Sequence, residues 1–268
     1  MDQTKLPLSV ALAVFNESAN LADCLETIKD IASEIVIVDG QSSDNTVEIA
    51  KQYNATVLVE ENRSNFHINK QHAIDACAHN WILQLDADER VSTMLASEIQ
   101  VIVSAKPSAT ADAYYLKRRN YFLGRWMNKG GMYPDPVIRL FKKGKARLPQ
   151  ASVHELMSVD GTTNWLQNDL LHIADPNFAR YLLRSNRYTE LQAIDWIKEN
   201  KLGTNTSTII LYMIWKPLVR FLEIYLRHKG FQDGFPGFVF AWYSGLHIAS
   251  SYVKYWEAKT GKGKQGNG

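Results

Sequence analysis

The sequence predicts an α/β protein in which a mostly parallel sheet carries helices on both faces, followed by a C-terminal helical appendage. Three observations point there. Short apolar runs recur at residues 8–14, 34–39, 55–59 and 81–85, each followed by polar residues and a helix-like stretch. Such alternation with short connections makes βαβ units around buried parallel strands. The 268 residues are 46% hydrophobic and 22% charged with 15 Gly and 8 Pro, which excludes disordered, collagenous and low-complexity chains. The last quarter differs from the rest. Residues 201–268 carry nine Lys/Arg against three Asp/Glu, and residues 205–268 hold 13 of the 29 aromatics.

Each element has its own signal. Leu8–Val14 (LSVALAV) reads as a buried first strand. It runs into Asn16-Glu17-Ser18 rather than a small-residue cleavage site, so it is not a signal-peptide core. Asn16-Glu17-Ser18 is expected to cap a helix to about Lys29. Glu34–Asp39 (EIVIVD) is a β-branched strand ending on a carboxylate, and the polar turn Gln41–Thr46 leads into a helix to about Tyr53. Ala55–Val59 is a short strand, Asn65–His79 a helix and Trp81–Leu85 (WILQL) a strand running into Asp86-Ala87-Asp88-Glu89-Arg90. Ser92 caps a helix to about Ser104. Beyond residue 105, Asp112–Asn120, Val137–Lys142, Val153-His154-Glu155 and Leu170-Leu171-His172 read as strands, with a Gly-, Pro- and aromatic-rich segment at Tyr121–Pro136. From Asn177 the chain turns helical, with Arg180, Arg184 and Arg187 in its first turns. Cys24 and Cys77 fall in predicted helices without metal-type spacing; a reducing cytosol is expected, not a disulfide framework.

Parallel α/β sheets bind ligands at the carboxyl ends of their strands. Three polar sites fall there: Asn16-Glu17, Asp39 and Asp86/Asp88. No GxGxxG follows the first strand and no GxxxxGK[ST] occurs, which counts against dinucleotide dehydrogenases and P-loop enzymes. Asp86 and Asp88, two residues apart past a strand end, can reach one hard cation, Mg²⁺ or Mn²⁺. That cation would bridge a nucleotide diphosphate. Asp39 is placed to accept hydrogen bonds from a nucleoside. His154 offers a nitrogen ligand and Glu155 a general base; a cross-strand polar pair is the plain alternative. His172 is as consistent with a structural hydrogen bond as with a ligand role. Arg118, Arg119, Arg139 and Lys70 are candidate diphosphate contacts, since a guanidinium fork suits phosphate.

These residues carry a resemblance. The stretches LSVALAVFNESANLADCLETI, EIVIVDGQSSDNT and NKQHAIDACAHNWILQLDADERV resemble inverting family 2 glycosyltransferases of the GT-A fold, which is Rossmann-like. More narrowly, YYLKRRNYFLGRWMNKGGMYPDPVIRLFKKG, VHE and LLHIA resemble the lipopolysaccharide-core β-glucosyltransferase branch. The similarity spans about residues 6–175. The family turn reads closer to DSGSTDGT; here Gly40-Gln41 and Asn45 depart from it, and Gln71 stands where Asn is usual. The resemblance implies a nucleotide-sugar donor, usually a UDP-sugar such as UDP-glucose, and a glycolipid or lipopolysaccharide-core acceptor. It implies that Asp39 contacts the nucleoside, that Asp86 and Asp88 serve the metal–diphosphate, with His154 assisting, and that Glu155 is the base. Residues 1–200 would then be the catalytic domain and 201–268 a membrane-associated tail.

Within that tail, residues 206–226 are apolar but broken by Lys216-Pro217, Arg220 and Glu223. Residues 234–253 lack formal charge but contain Pro236, three Gly and six aromatics, which favours a helix lying on a membrane. A spanning helix, or helices packed on the body or on a second subunit, are the alternatives. The charge divides into −4 for residues 1–200 and +6 for the tail. A positive tail suits anionic lipid. The expected location is cytoplasmic, peripheral on the inner face of the cytoplasmic membrane, with no nucleic-acid partner. A nucleotidyltransferase, or a non-catalytic sugar- or lipid-binding protein, are the competing classes.

Overall fold

The computed structural model describes residues 6–63, 65–149, 156–200 and 202–261. The first half alternates as its pattern predicts: β1 (Leu6–Val14), α1 (Leu21–Glu26), β2 (Ala32–Asp39), α2 (Thr46–Gln52), β3 (Thr56–Val59), α3 (Phe66–Ala76) and β4 (Trp81–Gln84). A three-residue β5 (Glu89–Val91) and α4 (Thr93–Ser104) follow. Then come β6 (Ala113–Phe122), β7 (Arg125–Trp126), β8 (Asp135–Lys142), β9 (Ala146–Arg147), β10 (Ser158–Val159) and β11 (Thr163–Asp175).

The strands β3-β2-β1-β4 pair in parallel, and the sheet continues β8-β6-β11-β5. That continuation is antiparallel where β4 meets β8, β8 meets β6 and β11 meets β5. The alternating faces of β1 make two cores. Leu8, Val10, Leu12 and Val14 pack with Leu21, Leu25, Leu95 and Ile99 from α1 and α4. Ala11, Val36, Val38 and Ile82 pack with Ala73 and Ile74 of α3 on the opposite face. Helices therefore cover both faces, as a buried parallel sheet requires. Cys24 and Cys77 are free thiols within these cores, and burial pushes the Cys77 thiol up to about 12.

Several boundaries move for local reasons. Asn16 does not cap a helix. It takes a left-handed conformation (φ 52°), and its carboxamide accepts the Ser43 N–H at 2.8 Å; α1 begins only after Asn20. The helix from Asn65 stops at Ala76 rather than His79. Glu34 accepts the Ala78 N–H at 2.7 Å and the Ser9 hydroxyl accepts the His79 N–H at 3.0 Å, so those amides leave the helical ladder. The strand at 170–172 extends over the whole of β11, and β5 pairs with its end through Val91, Arg90 and Glu89. Ser92 caps α4 as expected, accepting the Leu95 N–H at 3.3 Å.

The chain forms two compact units: 1–119 with 135–172, and 120–134 with 173–268. In the second unit, α5 (Phe178–Glu199) is capped by Asn177. A continuous helical stretch then runs through α6 (Thr206–Ile210), a wide turn at Leu211–Trp215, α7 (Lys216–Leu222) and a second wide turn at Glu223–Arg227. Pro217 lacks the N–H that a regular ladder would use, a known cause of such widening. The last helix, α8 (Gly234–Thr260), packs on α5 and α7. Its glycines serve packing: a Cβ on Gly245 would come within 2.6 Å of the Pro217 carbonyl oxygen, and one on Gly237 within 1.9 Å of the Gly230 carbonyl oxygen. Among the described residues, no helix is long and apolar enough to cross a membrane.

Asp233, fully buried just before α8, holds the 125–129 segment. Its carboxylate accepts the N–H of Asn128 at 3.1 Å and of Lys129 at 2.8 Å, and pairs with Arg125 Nε at 3.3 Å. Asp233→Ala removes the acceptor that the Asn128 and Lys129 amides use. It should cost about 2–3 kcal/mol in urea unfolding. An unchanged midpoint would show that the segment is held by other contacts.

Candidate functional site

Topology brings the strand-end groups to one edge. Val14 pairs with Asp39, so β1 and β2 end level, while Gln84 pairs with Ala11, so β4 ends three positions earlier and the chain from Leu85 to Asp88 continues at the same carboxyl edge. The strand order reverses between β1 and β4, which opens the crevice where open α/β sheets bind ligands.

The β1 and β2 turns are laced together. The Asn16 N–H donates to Ser42 Oγ, the Glu17 N–H to Thr46 Oγ1 and the Ser18 N–H to Asp44, at 2.8, 2.8 and 3.1 Å. The Glu17 carboxylate accepts the Asn20 carboxamide at 2.8 Å. Asp39 is 1% exposed. It accepts the Ser42 N–H at 2.9 Å and the Ser42 hydroxyl at 2.5 Å, which fixes its carboxylate at the strand end.

Asp86 lies among cations. Lys70 from α3 pairs with one carboxylate oxygen, and Arg139 from β8 donates to the other at 2.6 Å. Burial opposes its ionisation, but Arg139, Lys70 and Arg118 outweigh this and hold the carboxyl well below the usual carboxylate range. Arg139 also donates to Glu89 at 2.7 Å and to Gln84. Burial works against the Arg139 charge, yet Asp86 and Glu89 overcome it and raise its pKa further. The direct diphosphate grip expected of Arg139 does not match this placement. Its guanidinium is buried and already faces two carboxylates and a carboxamide. Arg118 donates through Nε and Nη2 to Asp135 at 2.9 and 2.7 Å, and its Nη1 lies 3.6 Å from Glu89. Arg119 lies 3.8 Å from Asp169.

Asp88 keeps the more open carboxylate. His172 of β11 reaches its Oδ2 with Nε2 at 3.4 Å. Burial disfavours the Asp88 charge, but the bond and charge of His172, with Lys70, together outweigh it and lower its pKa. His154 and Glu155 lie outside the described residues. Among the described residues no group of three His, Cys, Asp or Glu side chains converges to hold a metal. A hard carboxylate beside an imidazole nonetheless fits a divalent cation whose remaining ligands are substrate oxygens and water.

Sequence reasoning missed Glu89 and Gln84, which the fold places against Arg139. Glu89 is fully buried, and its carboxylate accepts the Asp86 N–H at 2.9 Å, so it shapes the turn that presents Asp86. Its only signal was its place directly after Asp88. Gln71 is explained by its surroundings: it accepts the Leu148 N–H at 2.8 Å and donates to Asp75 at 2.7 Å.

The model of the family described as Glycosyl transferase family 2 matches residues 9–168. The lipopolysaccharide core biosynthesis glycosyltransferase LpsC of Rhizobium meliloti is 27% identical over 94% of this chain and 93% of its own length. An uncharacterized glycosyltransferase of Rickettsia typhi is 28% identical over 87% of this chain and 80% of its own. Among solved structures, the mannosyltransferase PcManGT of Pyrobaculum calidifontis, in complex with GDP-Man and Mn²⁺, superposes with a TM-score of 0.52. That match has 13% identity and covers 96% of this chain and 89% of that one. It supports the GT-A type of α/β fold, with a C-terminal helical segment.

Proposed function

The chain belongs to glycosyl transferase family 2, and from that premise we propose that it moves a hexose from a UDP-sugar to a lipopolysaccharide-core-type glycolipid, with inversion. The observation that carries the reading is the placement of Asp39 at the end of β2, and of Asp86 and Asp88 just past the end of β4, at the same carboxyl edge of the sheet. Asp39 binds the nucleoside. Lys70 and Arg139 hold Asp86 ionised and in place. Asp88 and His172 would hold a Mg²⁺ or Mn²⁺ ion, with His154 as a further donor. When bound, such an ion neutralises charge on the departing diphosphate. Glu155 takes the proton of an acceptor hydroxyl. That oxygen forms a bond to the anomeric carbon on the face opposite the nucleotide as the bond to the diphosphate breaks. Asn16 and Glu17 line the same edge through the laced turns. Arg118 acts at one remove, through Asp135 and Glu89.

A peripheral contact with the inner leaflet of the cytoplasmic membrane completes the reading. Ile214, Trp215 and Leu226 on the 206–227 stretch, and Phe235 and Trp242 on α8, are between 49% and 73% exposed. Phe221 meets Phe238 and Trp242 edge-on at 5.8 and 5.9 Å, which joins the two helices in one aromatic surface. Lys216, Arg227 and Lys229 accompany it, the pairing of apolar and basic groups that interfacial helices use.

The test is transfer by the full chain from UDP-, GDP- and dTDP-hexoses to a truncated lipopolysaccharide acceptor, with Mn²⁺ or with chelator. Product is read by mass and by anomeric NMR coupling. One UDP-hexose should add a single residue with inverted configuration, and only with the cation present. Glu155→Gln should retain donor binding and lose roughly 10²–10⁴ in kcat. Absence of transfer and hydrolysis from every donor would sink the reading, and an unchanged kcat in Glu155→Gln would sink the assignment of the base.

A further inference from the structure

The C-terminal unit contains a cavity of about 400 Å³ between α5, α7 and α8, inside the ~300–1,000 Å³ range of small-molecule sites. Tyr181, Arg184, Ser185 and Tyr188 line it from α5, Arg220 from α7 and His247 from α8. The four α5 residues are spaced i, i+3, i+4 and i+7, so one helix face supplies them all. Arg180, Arg184 and Arg187 lie together on α5, and the proposed transfer chemistry uses none of them.

The wall is rich in donors that lack acceptors. Arg184 pairs with the buried Asp175, and Arg220 donates to Glu223 at 2.8 Å. The two arginine side chains remain 40% and 46% exposed, so each fork keeps N–H groups for a ligand. The hydroxyls of Tyr181, Ser185 and Tyr188 and the imidazole of His247 hydrogen-bond no other side chain or backbone group among the described residues. Tyr181 is only 8% exposed. Burial foremost, and then the Asp175 charge, push its phenol up to about 12, so it stays a donor at neutral pH. Arg180 and Arg187, on the same helix, have no carboxylate partner among the described residues, so the local field is positive.

We propose that this cavity binds a phosphate group carried on a sugar ring. Two guanidinium forks and several hydroxyl donors match the three oxygens of a phosphate monoester better than the two of a carboxylate. The ring of Tyr188, 44% exposed, supplies the apolar surface that a sugar ring packs against. The site stands on the C-terminal unit alone and requires no assignment of donor or acceptor.

Calorimetric titration of the full chain tests it, with glucose 6-phosphate, glucose, inorganic phosphate and UDP as probes. Glucose 6-phosphate should bind, inorganic phosphate more weakly, and glucose undetectably at millimolar concentration. Arg220→Gln should weaken glucose 6-phosphate by about tenfold or more. Arg184→Lys, which keeps a charge beside Asp175, should weaken it in the same direction without unfolding the chain. Asp88→Asn should leave the affinity unchanged, and UDP should not compete. Undiminished binding in both arginine variants overturns the proposal. So does displacement by UDP, or loss in Asp88→Asn, either of which would put the phosphate among the strand-end carboxylates. Inorganic phosphate binding as tightly as glucose 6-phosphate overturns the sugar half. Arg220-dependent sedimentation with phosphatidic acid vesicles, in the absence of glucose 6-phosphate binding, overturns it in favour of a lipid headgroup.

Discussion

Replacing Asp88 by Asn should lower glycosyl transfer by at least about a hundredfold, while the folded chain persists. Asp88 presents its carboxylate past the end of β4 with His172 3.4 Å away and the charges of Asp86 and Lys70 near it. Removing the charge therefore deletes the ligand proposed for the cation while leaving the Arg139, Asp86 and Glu89 pairs intact. The accompanying stability change should stay near 1 kcal/mol, a shift of about 2–4 °C in thermal midpoint. The two readouts separate the chemistry from the fold. Near-normal transfer with Mn²⁺ present would refute the role given to Asp88, whatever the donor proves to be.

Arg139→Met should behave in the opposite way, with stability as the dominant loss. Its guanidinium lies between Asp86, Glu89 and Gln84 in the sheet interior. Glu89 is fully buried, and without Arg139 its nearest cation is Arg118 at 3.6 Å. Breaking a buried ion pair from one side costs about 3–5 kcal/mol because the remaining charge stays desolvated. The thermal midpoint should fall by roughly 6–20 °C. Adding Glu89→Gln to that variant should restore part of the loss, since the stranded charge is then gone. A midpoint equal to wild type in Arg139→Met would mean that the carboxylates find water or other cations. Arg139 would then be free for the diphosphate role that its residue type first suggested.

Asp86 and Arg139 show how far the sequence could be read. A strand followed by two carboxylates two residues apart is a local pattern, and it places Asp86 and Asp88 at a strand end. Asp39 was legible for the same reason. The partner of Arg139 was not, because β8 joins β4 antiparallel from more than fifty residues away, and no periodicity encodes which strand a strand will meet. Arginine type alone suggests phosphate; only burial beside Asp86 and Glu89 turns it into a positioning residue. Asp233 is similar, since nothing around it in sequence points to the amides of Asn128 and Lys129. Membership of the transferase family answers the nucleotidyltransferase and non-catalytic alternatives that residue patterns left open.

The sequence by itself determined the α/β alternation, the buried parallel strands and the ring of strand-end carboxylates. Those follow from hydrophobic period and from residues adjacent in the chain. Tertiary structure alone decided which cations neutralise Asp86, that Gly237 and Gly245 permit close backbone approach in the C-terminal unit, and that Arg184, Arg220 and His247 share one cavity. Those outcomes depend on desolvation and on contacts between distant segments, and burial acts on a charge only once the chain has folded around it.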